Sequence, residues 1–210
     1  MLISILIPTL IERRGTFNVM VEKLHRQIEI NNLKKKVEIL VICDDRTLKL
    51  SDKRNLLQSL ANGKYFCHLD DDDNLSDDYC VKLVDHIENT IPTEMDGDPD
   101  VITYDQKCFV RDDIFIVKPS MNHRFRLEEA PANSTGLKEY REYYRFPWQW
   151  CLWNTEKYRK IYRTDSDTNA REDQNWLKKI LLEYPTHMSY VTNYIGHEYH
   201  FEDPSKSTTQ

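Results

Sequence analysis

The amino-acid sequence predicts an α/β fold: a mostly parallel central sheet with helices on both faces, plus a smaller mixed region. Two observations predict this fold. In the first half, short apolar runs alternate with segments whose apolar residues recur at helical spacing. In the second half, strand-like runs follow one another with few helical segments between them. The chain shows no internal repeat and no linker, so we expect a single domain over residues 1–210.

Three apolar runs in the first half have the length and composition of buried strands. They span residues 2–7, 37–42 and 64–69, and polar residues follow each of them. The connections between these runs are short and contain one helical segment each. Strands that are joined in this way pair in parallel, because a parallel neighbour requires a crossover connection.

Helical periodicity follows each of the three predicted strands. Thr16 and Ser51 are candidate caps for the first two helices, and Gly63 is a candidate stop for the second. The apolar residues expected to face the core are Phe17, Met20, Val21, Leu24 and Ile28, then Leu56, Leu57 and Leu60, then Cys80, Leu83, Val84 and Ile87.

The second half predicts more strands and one clear helix. Residues 101–105 and 107–118 have strand character, the latter as a hairpin, and a further strand lies near residues 189–195. A helix is predicted from Arg171 to about residue 183. Residues 119–147 have no clear periodicity, and we expect part of this segment to be mobile.

Charge and cysteine usage exclude several classes of protein. The net charge of −6 argues against a general affinity for nucleic acid. No apolar run is long enough to span a membrane. The cysteines are odd in number, scattered and without a CxxC pair, which is typical of reduced thiols. We therefore expect a soluble, cytoplasmic protein without a transmembrane segment.

Four consecutive aspartates follow the third predicted strand, at residues 70–73. They have two interpretations. An acidic run can be a solvated loop before a helix, since carboxylates near a helix N-terminus interact favourably with its dipole. Adjacent carboxylates also raise each other's pKa unless a cation offsets their repulsion. Asp70 and Asp72 point to the same side and have the oxygen ligands that a divalent cation takes, so we prefer metal binding.

Two other polar pairs are predicted to lie beside these aspartates. Pro8-Thr9 ends the first strand and Asp44-Asp45 follows the second. Ligands of parallel sheets bind at the carboxyl ends of the strands, so we expect the three clusters to share one ligand-binding edge. A lone acidic pair in such a place is also explained as the cap of a loop.

These motifs, taken in order, resemble glycosyltransferase family 2, whose members have the GT-A fold. The matching stretches are Pro8-Thr9, Asp44-Asp45, the Lys-Arg-Asn at 53–55 and the run HLDDDDNLSDDY. The stretch REDQNWLKKI, residues 171–180, is similar to the Glu-Asp motif of that family. The resemblance implies a Rossmann-like GT-A domain with a nucleotide-sugar-binding half, residues 1–105, and an acceptor-binding half, residues 106–210.

The same resemblance implies roles for individual residues. The nucleotide-sugar site would be formed by Pro8, Thr9, Glu12, Asp44, Asp45, Lys53, Arg54, Asn55, Asp70 and Asp71. A Mn²⁺ or Mg²⁺ ion would be held by Asp72 and Asp70 with His200 or His197. Asp173 would be the catalytic base beside Glu172, although both residues can also be explained by the dipole of the helix that they begin.

An aromatic patch, FPWQWCLW, precedes that helix by about twenty residues. Tryptophans are usually core residues when taken singly. Sugars also stack on aromatic rings through their C–H faces, so Trp148 and Trp150 are candidates for the acceptor pocket.

The predicted function is a metal-dependent transfer, with inversion, of a hexosyl group from a nucleotide-sugar donor. The donor is expected to be a UDP-sugar and the acceptor a carbohydrate or glycoconjugate hydroxyl. Two alternatives stay open. A nucleotidyltransferase uses a similar sheet and metal, although the stretch LIPTLIERRGT lacks the Gly-rich basic loop of that class. A metal- or glycan-binding module without turnover is the other alternative.

Overall fold

The protein is described by a computed structural model over residues 1–110, 113–122, 128–129, 141–164, 172–183, 185 and 187–201. Its elements are β1 (Ile3–Leu10), α1 (Arg14–Ile30), β2 (Val37–Asp44), α2 (Leu50–Leu60), β3 (Tyr65–His68), β4 (Asn74–Leu75), α3 (Tyr79–Asp85), α4 (Ile91–Glu94), β5 (Val101–Val110), β6 (Asp113–Pro119), β7 (Glu128–Glu129), β8 (Arg141–Arg145), β9 (Leu152–Asn154), α5 (Thr155–Tyr158), α6 (Glu172–Leu182) and β10 (Met188–Phe201). A 3₁₀ turn, Ile11–Arg13, precedes α1, and a π-helical turn, His86–Thr90, joins α3 to α4.

The first three strands form a parallel part of a mixed sheet. β1 pairs in parallel with β2 on one side and with β3 on the other. The three strands predicted from the apolar runs are thus confirmed, and β1 and β2 extend further, to Leu10 and Asp44. Pro8 lies beyond Leu6, the last β1 residue paired with β3. There β1 has a neighbour on one side only, a position in which a strand tolerates proline.

The rest of the sheet is mixed: β10 runs parallel to β5 and β8 runs parallel to β6, while the other pairings are antiparallel. The strand order is β2-β1-β3-β9-β5-β6-β8-β7, and β10 pairs with β5 and β4. The two strands expected around residues 101–110 are one continuous strand, β5, which pairs with β6 as the predicted hairpin. β10 is longer than predicted because register shifts between Tyr190 and His197 let it bend and continue along β5. The predicted mobile segment, 119–147, lies mostly outside the described residues.

Two helix starts differ from the predictions. α1 begins at Arg14, and the hydroxyl of Thr16 donates to the carbonyl of Arg13 at 3.0 Å from inside the helix. α2 begins at Leu50 and includes Ser51, which is buried. Neither hydroxyl is therefore a cap. The helix predicted to begin near Arg171 is confirmed as α6, and Arg171 itself lies outside the described residues.

The face that α2 turns to the core is largely polar. Leu57 is buried as predicted, but Leu56 and Leu60 are 48% and 52% exposed, so their predicted burial is wrong. The inner face is occupied instead by Lys53, Arg54 and Gln58. These polar side chains find partners inside the protein, as the site geometry below shows, and periodicity of apolar residues cannot reveal such a face.

Gly63 does not end α2, which stops at Leu60. It is required for a different reason, because a Cβ atom there would lie 2.5 Å from the backbone nitrogen of Ser4. The amide of Gly63 also donates to the hydroxyl of Ser4 at 2.7 Å. The chain therefore passes directly against β1 before it enters β3.

One apolar core joins the parallel strands to the helices. Its largest fully buried side chains include Trp153 and Trp176. The five cysteines form no disulfide, and all of them except Cys43 are buried. Within the described part of the chain, no helix is long and apolar enough to cross a membrane.

Candidate active site

Asp71 faces the end of β1. The hydroxyl of Thr9 donates to its Oδ2 at 2.6 Å, and Nε of Arg13 donates to its Oδ1 at 2.7 Å. Arg13 also forms an ion pair with Asp72 at 2.6 Å. The side chain of Asp71 is only 6% exposed, whereas that of Asp72 is 56% exposed. Asp71 thus holds the loop against β1, while Asp72 presents a carboxylate to solvent.

Asp70 is partly exposed to solvent and is paired with a buried arginine. Its carboxylate pairs with Nη2 of Arg54, which is almost fully buried, yet 47% of the Asp70 side chain is exposed. Its amide donates to Oδ2 of Asp73 at 2.7 Å. The loop therefore turns Asp70 and Asp72 outward and Asp71 and Asp73 inward, as alternation along the chain predicts.

Asp73 is paired with His197 behind this loop. Nε2 of His197 lies 3.0 Å from Oδ1 of Asp73, and Nδ1 accepts from the amide of Gln106 at 2.9 Å. Burial raises the pKa of Asp73, and the neighbouring His197 opposes that shift. The His197 ring stacks on Trp150, with 5.5 Å between the ring centroids. Gln106 therefore occupies one ring nitrogen of this predicted metal ligand, and Asp73 lies at ion-pair distance from the other.

Glu172 lies between two arginines. Nη1 of Arg54 contacts its Oε1, and Nε of Arg163 lies 2.6 Å from its Oε2. The Glu172 side chain is 4% exposed. The carboxamide oxygen of Gln149 accepts from both arginines, at 2.7 Å from Arg54 and 3.3 Å from Arg163. Because Arg54 also pairs with Asp70, a single guanidinium joins the aspartate loop to the start of α6.

Arg163 contacts Trp176 and His68 in addition to Glu172. Its guanidinium carbon lies 4.4 Å from the ring centroid of Trp176, and Nη1 lies 3.1 Å from Nε2 of His68. Burial lowers the pKa of His68 well below its usual value, and the charges of Arg163 and Arg54 act in the same direction. His68 is therefore neutral, and its Nε2 accepts from Arg163. Burial likewise lowers the pKa of Arg163 to about 10.

Asp173 has a different environment from its neighbour Glu172. It is partly exposed, and its Oδ1 accepts from the amide of Gln174 at 2.7 Å. Burial is the main cause that raises its pKa, and the charge of Glu172 raises it further. The arrangement gives a carboxylate with increased proton affinity beside a carboxylate held by two cations.

Lys53 and Asp44 form a buried ion pair at the ends of α2 and β2. Nζ of Lys53 donates to Oδ1 of Asp44 at 2.6 Å and to the carbonyl of Thr9 at 3.3 Å. Oδ2 of Asp44 accepts from the amide of Leu48 at 2.7 Å. Burial raises the pKa of Asp44, but these hydrogen bonds and the Lys53 charge outweigh it, so the pKa lies below its usual value.

The other predicted nucleotide-site residues lie around this pair. Glu12 and Asp45 are exposed, and Glu12 pairs with Arg46. Asn55 instead contacts the main chain of Arg163, accepting from its amide at 2.7 Å and donating to its carbonyl at 2.9 Å. Asn55 therefore fixes the segment that carries Arg163.

The remaining candidates are the two tryptophans between β8 and β9 and His200 on β10. Trp150 is 4% exposed and packs in the core. Trp148 is partly exposed, and the guanidinium carbon of Arg145 lies 3.6 Å from its ring centroid. His200 is 51% exposed in its side chain and stacks on Phe109 at 4.3 Å. In the part of the chain that the structure describes, no three His, Cys, Asp or Glu side chains converge as a ready metal site.

Sequence reasoning missed Arg13, Gln149 and Arg163. No local motif marks Gln149 or Arg163, which reach the site only through the packing of their segments against α2 and α6. Arg13 was detectable in principle, because it lies four residues after Thr9 on the predicted ligand edge.

No family model matches this sequence, and no curated protein matches it. The fold does match solved structures of S. aureus TarS, a glycosyltransferase. TarS 1–349 in complex with UDP-GlcNAc aligns with a TM-score of 0.59 at 15% identity, over 97% of this chain and 59% of that chain. The complex with UDP gives 0.56 at 16% identity, over 96% of this chain and 61% of that chain.

This chain has the GT-A fold. The fold class predicted from the sequence is therefore confirmed, with a mixed α/β architecture and a curled central sheet. The chain spans about three fifths of the TarS 1–349 structures and 37% of the longer TarS structure. In this fold Arg54 connects Asp70, which follows β3, to Glu172 at the start of α6, and Asp173 follows Glu172 directly.

Proposed function

We propose that this protein transfers a sugar from a nucleotide-diphosphate donor, a UDP-sugar, to an acceptor hydroxyl. One observation carries the proposal: Arg54 joins Asp70, on the aspartate loop, to Glu172, which is followed directly by Asp173. Donor-side and acceptor-side carboxylates are thereby fixed side by side. The TarS structures with UDP-GlcNAc and UDP, which share the fold, support a UDP-sugar as the donor.

Asp173 is the proposed general base. The acceptor hydroxyl must lose a proton as it attacks the anomeric carbon, and a carboxylate whose pKa is raised takes that proton more readily. Glu172 is unsuited to this role because both of its oxygens face arginines. It acts as a positioning residue that anchors the first turn of α6. A single displacement with this base inverts the anomeric configuration.

The donor diphosphate is proposed to lie over Asp70 and Asp72. Their carboxylates are about half open, and each is supported from behind by an arginine. Two carboxylates that leave room for phosphate oxygens and water fit Mg²⁺ or Mn²⁺, which bind through few protein ligands in such sites. When bound, the cation would stabilise the charge that develops on the leaving diphosphate. Asp72 and Asp70 would hold it, and His200 is the more accessible of the two histidines.

The nucleoside is proposed to bind between the ends of β1 and β2. Asp44 is already fixed by Lys53 and the Leu48 amide, so it offers a rigid carboxylate edge to a ribose or uracil donor group. Asp45 and Glu12 are the exposed carboxylates at this position. A fixed acceptor needs little reorganisation when the ligand binds, which favours affinity.

The test is calorimetric titration of UDP in the presence of Mn²⁺, repeated with EDTA. The proposal predicts that UDP binding depends on the metal. The affinity for UDP should be weaker by about tenfold or more in Asp72→Asn. Asp77→Asn is the matched control, because Asp77 lies just downstream of Asp72. Its side chain is 95% exposed and forms an ion pair with Lys23. Absence of binding to UDP, GDP and TDP in both conditions would overturn the proposal. Binding would justify assays of UDP-sugar hydrolysis and transfer.

A further inference from the structure

β2 is an edge strand of the sheet. Within the described residues its only strand neighbour is β1. The carbonyl of Lys36, just before β2, accepts from the amide of Ile3 at 2.9 Å, so the main chain of Lys36 faces β1. Main-chain groups alternate in direction along a strand, so those of Ile39, Val41 and Cys43 face away from β1. β2 therefore presents a row of main-chain donors and acceptors at the edge of the sheet.

The side chains of β2 do not protect this edge. Residues 39–42 are apolar, and Val41 is 39% exposed. Edge strands are commonly protected from pairing by an outward charge, a proline or a bulge, and β2 has neither proline nor bulge. Its charged side chain, Glu38, is used within its own chain, where it accepts from the hydroxyl of Ser4 and the amide of Asn62. β2 is therefore open to pairing with a further strand.

The helix α2 extends this apolar surface on one face of the sheet. Leu56 and Leu60 are about half exposed. They follow Lys53 at spacings of three and seven residues, which places the three side chains on one side of the helix. Lys53 contacts Asp44 at the end of β2, whereas Gln58, on the opposite flank, donates to a main-chain carbonyl of α5. The two exposed leucines thus lie on the β2 side of α2.

The charges at the two ends of β2 are opposite in sign. A turn of three lysines, residues 34–36, precedes the strand, and Asp44-Asp45 ends it. Lys35 and Asp45 are both exposed. A second copy of β2 that runs antiparallel to the first brings the lysine turn of each copy to the aspartates of the other. A parallel arrangement would place like charges together, so the edge is complementary to itself in the antiparallel direction.

Hydrogen bonding and charge together select one register for this pairing. The outward main-chain groups belong to odd-numbered residues of the strand, so the hydrogen-bonded pairs must join odd-numbered residues of the two copies. A twofold axis at Leu40 or at Val41 meets this condition near the centre of β2. With Leu40 on the axis, Lys35 of one copy is level with Asp45 of the other. With Val41 on the axis, Asp45 would meet an apolar residue, so the axis at Leu40 is favoured.

We propose that β2 forms the interface of a symmetric homodimer, in which two copies of the chain pair their β2 strands antiparallel about a twofold axis at Leu40. The sheet then continues from one copy into the other, and Leu56 and Leu60 of both α2 helices face the junction. Each copy contributes the same surface, which closes the assembly at two chains. The proposal goes beyond the transferase function and does not depend on it.

Sedimentation velocity over a range of protein concentrations tests the interface. We expect a reversible dimer of the wild type. Val41→Lys places a charge on the edge and should weaken the dimer by about tenfold or more. Val19→Lys is the matched control, because Val19 is a 71% exposed valine on α1, and it should leave the dimer unchanged. Lys35→Glu should weaken the dimer by about threefold or more, and Lys35→Glu/Asp45→Lys should restore it.

A disulfide cross-link tests the register. Leu40 lies directly opposite its copy in a non-hydrogen-bonded pair, whose Cα atoms are about 4.5 Å apart and within the reach of a disulfide. Leu40→Cys in a Cys43→Ser background should therefore form an intermolecular disulfide under mild oxidation. Val41→Cys in the same background should not, because its copy lies diagonally across the pair at about 7 to 8 Å.

A wild type that stays monomeric at every concentration would overturn the proposal, as would a dimer of unchanged affinity in Val41→Lys. A charge exchange that fails to restore the dimer, or a disulfide in Val41→Cys instead of Leu40→Cys, would overturn the proposed register. None of these results bears on the UDP titration. A dimer that binds no UDP would refute the transferase function alone, so the two failures are distinguishable.

Discussion

The adjacent carboxylates of Glu172 and Asp173 lie in different environments, because different groups contact them. Glu172 is enclosed by Arg54 and Arg163, and each of its carboxylate oxygens lies against a guanidinium. Asp173 accepts one amide hydrogen bond and has the Glu172 charge beside it. The helix dipole acts on both residues, so it cannot account for the contrast. These contacts support the proposal that Glu172 anchors the first turn of α6 and that Asp173 is the proton acceptor.

Asp173→Asn should abolish most transfer without affecting the donor. The amide keeps the shape of the side chain but cannot take a proton, so we expect a loss of about 10²- to 10⁴-fold in kcat. UDP affinity should stay within about threefold, because Asp173 does not contact the donor-side aspartates. The measurements are sugar transfer and UDP calorimetry on the same preparations.

Asp52→Asn provides the comparison for that variant. Asp52 is also a carboxylate in the first turn of a helix, but it is exposed and lies on α2. A role confined to the helix dipole predicts similar small effects for both substitutions. Retention of full transfer activity by Asp173→Asn would assign the base to another residue.

Arg163→Gln should destabilise the fold strongly. The side chain is fully buried, and its removal leaves Oε2 of Glu172 and Nε2 of His68 without their cationic partner. Loss of one member of a buried ion pair costs about 3 to 5 kcal/mol. Urea unfolding measures this difference. The double variant Arg163→Gln/Glu172→Gln should recover part of the loss, and additivity of the two single effects would contradict the pairing.

At the scale of elements, the connection between α2 and β3 lies so close to β1 that it leaves no space for a side chain at Gly63. A Cβ at Gly63 would meet three backbone atoms between 2.5 and 2.7 Å away, and backbone cannot move aside as a side chain can. Gly63→Ala should therefore destabilise the protein by about 3 kcal/mol through overpacking. The free energy of unfolding in urea tests this expectation.

Gly15→Ala is the matched control for Gly63→Ala. Gly15 lies in α1 with nothing within 4 Å of an added Cβ. Alanine has the higher helix propensity, so this substitution should stabilise the protein by about 0.5 to 1 kcal/mol. Equal effects of the two substitutions would show that the close approach at Gly63 relaxes easily.

Strands were easier to predict than helix faces, and the reason is physical. β1 and β3 are buried on both faces, so their apolar runs are visible in the sequence, and β2 keeps an apolar run although it is only partly buried. The core-facing side of α2 carries Lys53 and Arg54, whose burial depends on partners far along the chain. Periodicity assigned that face to Leu56 and Leu60, which are exposed.

The site was predictable where residues follow one another in a motif. The aspartate loop and the Glu172-Asp173 pair come from short segments that could be recognised in order. Arg163 and Gln149 belong to no such segment, and only tertiary packing places them beside Glu172. The order of the motifs therefore predicted the candidate site, while the network of contacts around it could be found only in the structure.

For the molecule as a whole, the Asp44–Lys53 ion pair makes the stability of the fold vary with pH in the acid range. The pKa of Asp44 is lower in the folded protein than the value near 4 expected in the unfolded chain. Its contribution is therefore fully present above about pH 4 and is lost as the pH falls through the folded pKa. Asp44→Asn should lower the unfolding midpoint near neutral pH and flatten its decrease in acid.

Asp77→Asn is the comparison for the acid titration. The pKa of Asp77 is also lowered, by its hydrogen bond to Lys23 and the charge of that lysine, but the side chain is 95% exposed and its interaction is screened. Thermal unfolding between about pH 7 and about pH 3 should separate the two variants. A wild-type acid profile in Asp44→Asn would show that other carboxylates dominate.

The guanidinium of Arg54 also has a consequence for how the molecule folds. Its contact with Glu172 spans 118 positions of sequence, and its contact with Gln149 spans 95. Pairings of such long range form late, because the chain between them must be ordered first. A nascent chain that has completed β1 to β3 would hold Arg54 with Asp70 as its only carboxylate partner. Catalytic competence would then appear in the last step of refolding, after the sheet has formed.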